Sequence, residues 1–287
     1  MDLSSVANNG TISKKIWNFK GQVDYVDDWF LMKTPFLLLV ITSVYLLFVL
    51  KVGPALMKNR TPFKFTNILI FYNTLQVIYS FYLFCIGASI IFLNGLLCKS
   101  CLMETKESRY LITSSIYLYF AAKISELIDT VFFVLRKKNN QVTFLHVYHH
   151  SLMMWSTWLT LKYEPTYSTM FLGTLNSFVH VIMYTYYGLS AFPNLEKYLW
   201  WKKYITSMQL IQFVLVLIHA VANLHYSGCA PSNTLMITIL INGFLFIYLF
   251  GKFYINSYMK SKEKVVKCNN NNNNVNGKNY EKSVKIN

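Results

Sequence analysis

Seven stretches of predominantly apolar residues run through the sequence, and each approaches or exceeds the roughly 20 residues that a helix needs to cross the hydrocarbon core of a bilayer. They cover approximately 35–50, 67–93, 110–135, 142–163, 167–190, 204–224 and 233–255. A soluble domain could not bury so many. Of the 287 residues 54% are apolar and 14% charged, against roughly 25% charged in typical soluble chains. The 22 Phe, 21 Tyr and 6 Trp suit a surface that meets lipid tails and headgroups. The pattern predicts an all-α polytopic membrane protein of seven transmembrane helices over 35–255, with a lumenal segment over 1–34 and a cytosolic Lys/Asn-rich tail over 256–287. That tail holds a run of asparagines from Asn269 to Asn274, which has no apolar face to bury and reads as a solvated terminus. Only Glu164, Pro165 and Thr166 separate the fourth and fifth stretches, so these form an antiparallel hairpin broken at the proline.

The formal net charge of +15 would suit a nucleic-acid partner if it were clustered on a soluble face. It is sorted by membrane side instead. The loops after the first, third and fifth stretches, together with the C-terminal segment and Lys252 at the end of the seventh stretch, carry 18 basic and 3 acidic residues; the other side, counting Lys162 at the end of the fourth stretch, carries 8 and 7. The positive-inside rule puts the first set, and the C-terminus, in the cytosol and the N-terminus in the lumen. No nucleic-acid partner is expected. The first 20 residues lack the continuous apolar core of a signal peptide. Asn9, in the sequon Asn9-Gly10-Thr11, is then a lumenal glycosylation candidate. Cys98, Cys101 and Cys229 fall in lumenal loops, where oxidising conditions permit disulfides, so either Cys98 or Cys101 is expected to bridge to Cys229. No second cysteine pair completes a zinc site around Cys98 and Cys101.

Ionisable residues inside a bilayer cost at least ~2.5 kcal/mol each and are functional candidates by default. The third stretch carries Lys123, Glu126 and Asp129 at i, i+3, i+6; the fourth carries His146, His149 and His150 at i, i+3, i+4. The fifth adds Asn176, His180, Tyr184 and Tyr187 in one stripe, and the sixth adds Gln209 and Gln212. Helical spacing puts each set on one face. A lone histidine in such a helix is most simply a hydrogen-bonding strut, and Lys123 between two carboxylates is most simply an internal ion pair. Four histidines on adjacent helices with carboxylates and amides favour chemistry. At 1.5 Å per residue the four stripes also meet at similar depth, in the cytosolic half of the bilayer.

Three functions compete for such a cluster. His-x-x-His-His with carboxylates resembles one box of the membrane di-iron desaturases and hydroxylases, and the donors would suit iron; those enzymes, however, use about eight histidines in three boxes, and this chain has six. A transporter would use the cluster as an intramembrane proton or ligand site, but no inverted repeat is visible. An acyl transferase acting on a lipid-chain thioester would use an imidazole as nucleophile or base, with amides and tyrosines stabilising an oxyanion. No metal and no cofactor are expected under this third reading.

Four motifs then carry a resemblance. Lys123-x-x-Glu126-x-x-Asp129-Thr130, Gln141-x-x-Phe144-Leu145-His146-x-Tyr148-His149-His150, Asn176-x-x-x-His180-x-x-Met183-Tyr184-x-Tyr186-Tyr187 and Thr206-x-x-Gln209-x-x-Gln212 occur in order, and the chain resembles the ELO-type fatty-acid elongases, the very-long-chain 3-oxoacyl-CoA synthases, over about 25–260. The resemblance implies an endoplasmic-reticulum protein in which spans two to seven enclose an acyl-chain tunnel closed at the lumenal end. It implies condensation of acyl-CoA with malonyl-CoA, releasing CO2 and CoA. His149 would be the acyl acceptor and His180 its partner, with Asn176 and Tyr187 near the thioester and His146 and His150 orienting the site. Lys123, Glu126, Asp129, Tyr184, Gln209 and Gln212 would support it, and Lys202 and Lys203 would meet the CoA phosphates. The implied partners are the two CoA substrates, the lipid bilayer, and the reductases and dehydratase of the elongation cycle, with a homodimer as a candidate assembly. Gln141 resembles the variant common among elongases of polyunsaturated chains.

Overall fold

A computed structural model of the chain describes residues 19–97 and 99–259. Asn9, Cys98 and the asparagine run lie outside them. Every regular element among the described residues is helical. The principal helices are α1 Phe36–Met57, α2 Thr66–Asn94, α3 Lys106–Ser125, α4 Leu127–Leu135, α5 Phe144–Tyr163, α6 Met170–Leu189, α7 Lys202–Tyr226 and α8 Asn233–Tyr254. They follow the seven apolar stretches, with two differences. The first helix runs on past Lys51 to Met57 through a π-helical turn at Phe48–Val52, because a charge at a membrane edge does not end a helix. The third stretch is two helices joined at Glu126, whose backbone dihedrals are helical (φ −65°, ψ −19°).

Helix starts follow from local capping. The Thr105 hydroxyl accepts from the Ser108 N–H, Thr143 from His146 and Ser232 from Leu235, at 3.1–3.2 Å, each satisfying one of the orphan donors of a first turn. Thr143 thereby fixes the start of α5 and the phase at which its histidines leave the helix. Four helices, α1, α2, α7 and α8 extended to Met259, are long and apolar enough to cross a membrane. The seven-stretch reading adds α3 with α4, α5 and α6, whose apolar character is diluted by the charges, histidines and amides they carry.

Six helices close a ring: α2 packs on α3, α3 on α5, α5 on α8, α8 on α7, α7 on α6, and α6 back on α2. The most extensive seam is α2 against α6, brought together at Gly87, where a Cβ would stand 2.0 Å from Thr174 Oγ1. The ring encloses a cavity of about 150 Å³ lined by residues of all six helices. Helix α1 lies outside it and packs its end on α4, with Leu38, Tyr45, Val49, Gly53 and Met57 as its buried stripe.

One end of the ring is tied by covalent and polar links. A disulfide joins Cys101, after α2, to Cys229, after α7. The neighbouring Gly228 admits this approach, since a Cβ there would lie 1.8 Å from Lys99 O. The Glu164 carboxylate accepts from the N–H and hydroxyl of Ser232 at 2.6 and 2.5 Å, which ties the α5–α6 hairpin to the start of α8. Tyr167 donates to the carbonyl of Gly95. Lys162, at the end of α5, is fully buried and donates to Asp27 Oδ1 at 2.5 Å and Met32 O at 2.6 Å. The described part of the N-terminal segment is therefore packed onto α5, with Trp158 also donating to Leu31 O.

Candidate active site

The polar residues of α3, α4, α5 and α6 meet at the end of the ring opposite the disulfide. Lys123, Glu126 and Asp129 are all at most 5% exposed. Lys123 Nζ donates to Glu126 Oε1 at 2.7 Å and to Asn176 Oδ1 at 2.8 Å, and lies 4.6 Å from the ring centre of Tyr119. Tyr119 donates to the same Asn176 oxygen at 2.7 Å. Glu126 Oε1 also lies 3.0 Å from His180 Nδ1, and Glu126 Oε2 lies 3.8 Å from His150 Nδ1. One carboxylate oxygen is thus shared by an ammonium and an imidazole, and Asn176 engages the ammonium further. Glu126 Oε2 and His150 Nδ1 have no hydrogen-bond partner among the described residues. Asp129 stands apart from this cluster and accepts from Tyr184 at 2.7 Å.

The three histidines of α5 do not share one environment. Successive residues turn by about 100°, so His146 and His150 stand about 40° apart while His149 is about 100° from His150. His146 and His150 pack ring to ring, centroids 4.4 Å apart, on the side facing α3 and α4. His149 turns away, edge-on to Phe246 with centroids 5.0 Å apart, and lines the cavity between the six helices. Asn176, Tyr119 and Gln212 line the same cavity. Gln212 is 6% exposed, and its Oε1 has no hydrogen-bond partner among the described residues.

The other residues singled out in the sequence lie around this core. Gln209 donates to Met183 Sδ at 3.7 Å and does not line the cavity. Tyr184 packs edge-on to His180, centroids 5.6 Å apart, and Tyr187 meets Tyr184 edge-on at 6.1 Å, one layer farther out than its stripe position suggests. Lys202 and Lys203 open α7; Lys202 is exposed and Lys203 Nζ lies 4.7 Å from the ring centre of Tyr204. Helical spacing alone did not single out Tyr119, because its stripe partner Lys123 drew attention as a charge. It also missed Tyr72 and Gln76 on α2, which donate to Ser125 O at 3.1 Å and Ser125 Oγ at 2.9 Å and pin the turn that presents Glu126.

From the polar end the cavity descends between apolar walls to Thr160, Thr169 and Leu235. His149 and Thr160 are eleven residues apart, which is about 16 Å along α5. The arrangement is a long, mostly apolar cavity with one imidazole and two amides at one end. It can accept an alkyl chain and offer a nucleophile or base, with hydrogen-bond donors, to a carbonyl at its head. Among the described residues no three or more His, Cys, Asp or Glu side chains are grouped to hold a metal ion.

The sequence is similar to those of known proteins. Residues 30–266 match the family model described as "ELO: GNS1/SUR4 family". The chain is 39% identical over 270 residues to "Very long chain fatty acid elongase 4" of Homo sapiens, covering 92% of this chain and 84% of that one. It is 40% identical over 243 residues to "Very long chain fatty acid elongase 7" of Drosophila melanogaster, covering 83% and 73%, and 40% identical over 246 residues to "Very long chain fatty acid elongase 1" of Homo sapiens, covering 81% and 85%. The chain belongs to the ELO (GNS1/SUR4) family.

Proposed function

We propose that this chain is the condensing enzyme of fatty-acid elongation, joining a long-chain acyl-CoA to malonyl-CoA to give 3-oxoacyl-CoA, CO2 and CoA. The observation that carries the reading is His149, the histidine of its motif that lines the apolar cavity between the helices, while His146 and His150 pack on each other toward Thr130 and Glu126. In the reaction, His149 attacks the acyl thioester carbon; a C–N bond forms, the C–S bond breaks, and the imidazole proton leaves with CoA as its thiol. Malonyl-CoA then loses CO2, and the resulting enolate carbon attacks the acyl-imidazole. A C–C bond forms, the C–N bond breaks, and His149 takes up one proton from solvent, the proton that the overall condensation consumes. Asn176 Oδ1 is taken by Lys123 and Tyr119, so its amide N–H group is the part suited to a developing oxyanion. His180 is the proton carrier, its Nδ1 held by Glu126. An acyl-imidazole survives only in a dry site, and the apolar walls supply one.

The same reading gives the setting. Helices α5 and α6, of 20 residues each, are about 30 Å long, the thickness of the hydrocarbon core. With α3 and α4 in series they complete seven spans, and the cavity is the acyl tunnel. The disulfide favours a lumenal position for the loops after α2 and α7, which leaves the polar end, Lys202 and Lys203 toward the cytosol, where CoA phosphates would meet cations. We place the protein in the endoplasmic-reticulum membrane with its C-terminus cytosolic. The test is elongation by purified protein in detergent with a panel of acyl-CoA species and labelled malonyl-CoA. Labelled 3-oxoacyl-CoA with wild type and none with His149→Ala supports the reading; no product from any chain length with folded wild-type protein overturns it.

A further inference from the structure

Helix α1 stands outside the ring, yet one polar atom on its buried stripe reaches the histidines. Tyr45, 6% exposed, places its hydroxyl 2.9 Å from Thr130 Oγ1. Thr130, fully buried at the first turn of α4, places the same oxygen 3.1 Å from His146 Nε2. Three groups on three helices form a line from the lipid-facing helix to the imidazole pair.

The proton inventory fixes the direction of that line. Thr130 is the one hydrogen-bond partner that Tyr45 has among the described residues, and a buried O–H left without an acceptor is costly. The phenol therefore donates to Thr130. The threonine hydroxyl has a single proton, which is then directed to His146, so Nε2 accepts and the imidazole proton resides on Nδ1. His146 lies 4.4 Å, centroid to centroid, from His150, and His150 lies 5.3 Å, edge-on, from His149, so the His146 ring sets the wall against which the cavity-facing histidine rests.

We infer that Tyr45 is a positioning residue of the site: acting through Thr130, it fixes the tautomer and orientation of His146 and makes the peripheral helix part of the catalytic assembly. The inference rests on the condensation reading for its kinetic consequence but not for its structural one. Two readouts separate them. In full-length protein labelled with 15N-histidine, the His146 signal, assigned by its loss in His146→Gln, is expected to show an unprotonated Nε2 and a protonated Nδ1. Tyr45→Phe, which removes one oxygen, is expected to shift that signal toward a tautomer mixture and to lower kcat about tenfold, the worth of one such hydrogen bond, with KM for acyl-CoA unchanged. Thr130→Val cuts the line next to the ring, and the double variant is expected to lose no more than Thr130→Val alone; it also serves as the readout where Tyr45→Phe does not fold. A His146 signal that is the same in wild type, Tyr45→Phe and Thr130→Val overturns the inference. Wild-type protein with the expected tautomer but no condensation would overturn the proposed function and leave the positioning intact.

Discussion

Glu126 Oε1 lies 3.0 Å from His180 Nδ1, and the same oxygen meets the ammonium of Lys123 at 2.7 Å. The carboxylate that neutralises a buried lysine is therefore also the group that orients a buried histidine. Stability and activity depend on it in different ways. Glu126→Gln leaves Lys123 uncompensated and is expected to cost about 3–5 kcal/mol, the penalty of an orphaned buried charge, and to lower kcat about 100-fold through His180. The double variant Lys123→Met, Glu126→Gln removes both charges. Thermal unfolding in detergent should show most of the stability restored, while the elongation assay shows activity still lost; recovery of both would mean the pair serves packing alone.

The α2–α6 seam gives a prediction about the walls. Gly87→Ala puts a methyl 2.0 Å from Thr174 Oγ1 and 3.0 Å from its Cβ, and overpacking of this kind costs about 1–3 kcal/mol. Thr174→Ala should relieve it. A melting temperature that falls with Gly87→Ala and returns in the double variant is the expected result, read by the same detergent melts.

At the opposite end, the Cys101–Cys229 disulfide closes a loop across 128 residues. Removing a bridge of that span costs about 2–5 kcal/mol. Cys229→Ser and Cys101→Ser should lower the melting temperature alike, and reductant should lower that of wild type but not of either variant. Peptide mapping under non-reducing conditions should recover Cys101 and Cys229 in one linked fragment.

Lys162 and Asp27 form a second buried link at that end, with Lys162 Nζ also on Met32 O. Asp27→Asn should destabilise the docking of residues 19–34, seen as faster hydrogen exchange at 22–32, with little change in kcat because the pair is remote from the polar site. A large loss of kcat with unchanged exchange would place Asp27 in the chemistry instead.

These sites differ in how far the sequence disclosed them. The stripes of α3, α5 and α6 were visible because a charge or imidazole in an apolar run stands out and the helical period puts it on a face. The period did not distinguish members of one stripe. His149 leaves the pair formed by His146 and His150 by an angle that is present in the spacing, but which side faces a cavity depends on neighbouring helices. Tyr45 and Tyr119 were invisible because a tyrosine in an aromatic-rich membrane chain carries no signal until its hydroxyl has a partner. Lys162 was counted with the loop charges, since only the packing of 19–34 against α5 makes it a buried ion. The helix count shows the same limit: apolar length marks α1, α2, α7 and α8, whereas the charges, histidines and amides of α3, α5 and α6 dilute their apolar character.

On the proposed mechanism His149 becomes acylated before malonyl-CoA arrives. Purified full-length protein mixed with a long-chain acyl-CoA alone should release up to one equivalent of free CoA and gain the acyl mass on the peptide containing His149, and His149→Ala should do neither. Enzyme that condenses once malonyl-CoA is added, yet with acyl-CoA alone releases no CoA and leaves that peptide unmodified, would contradict the account and assign His149 the role of a general base.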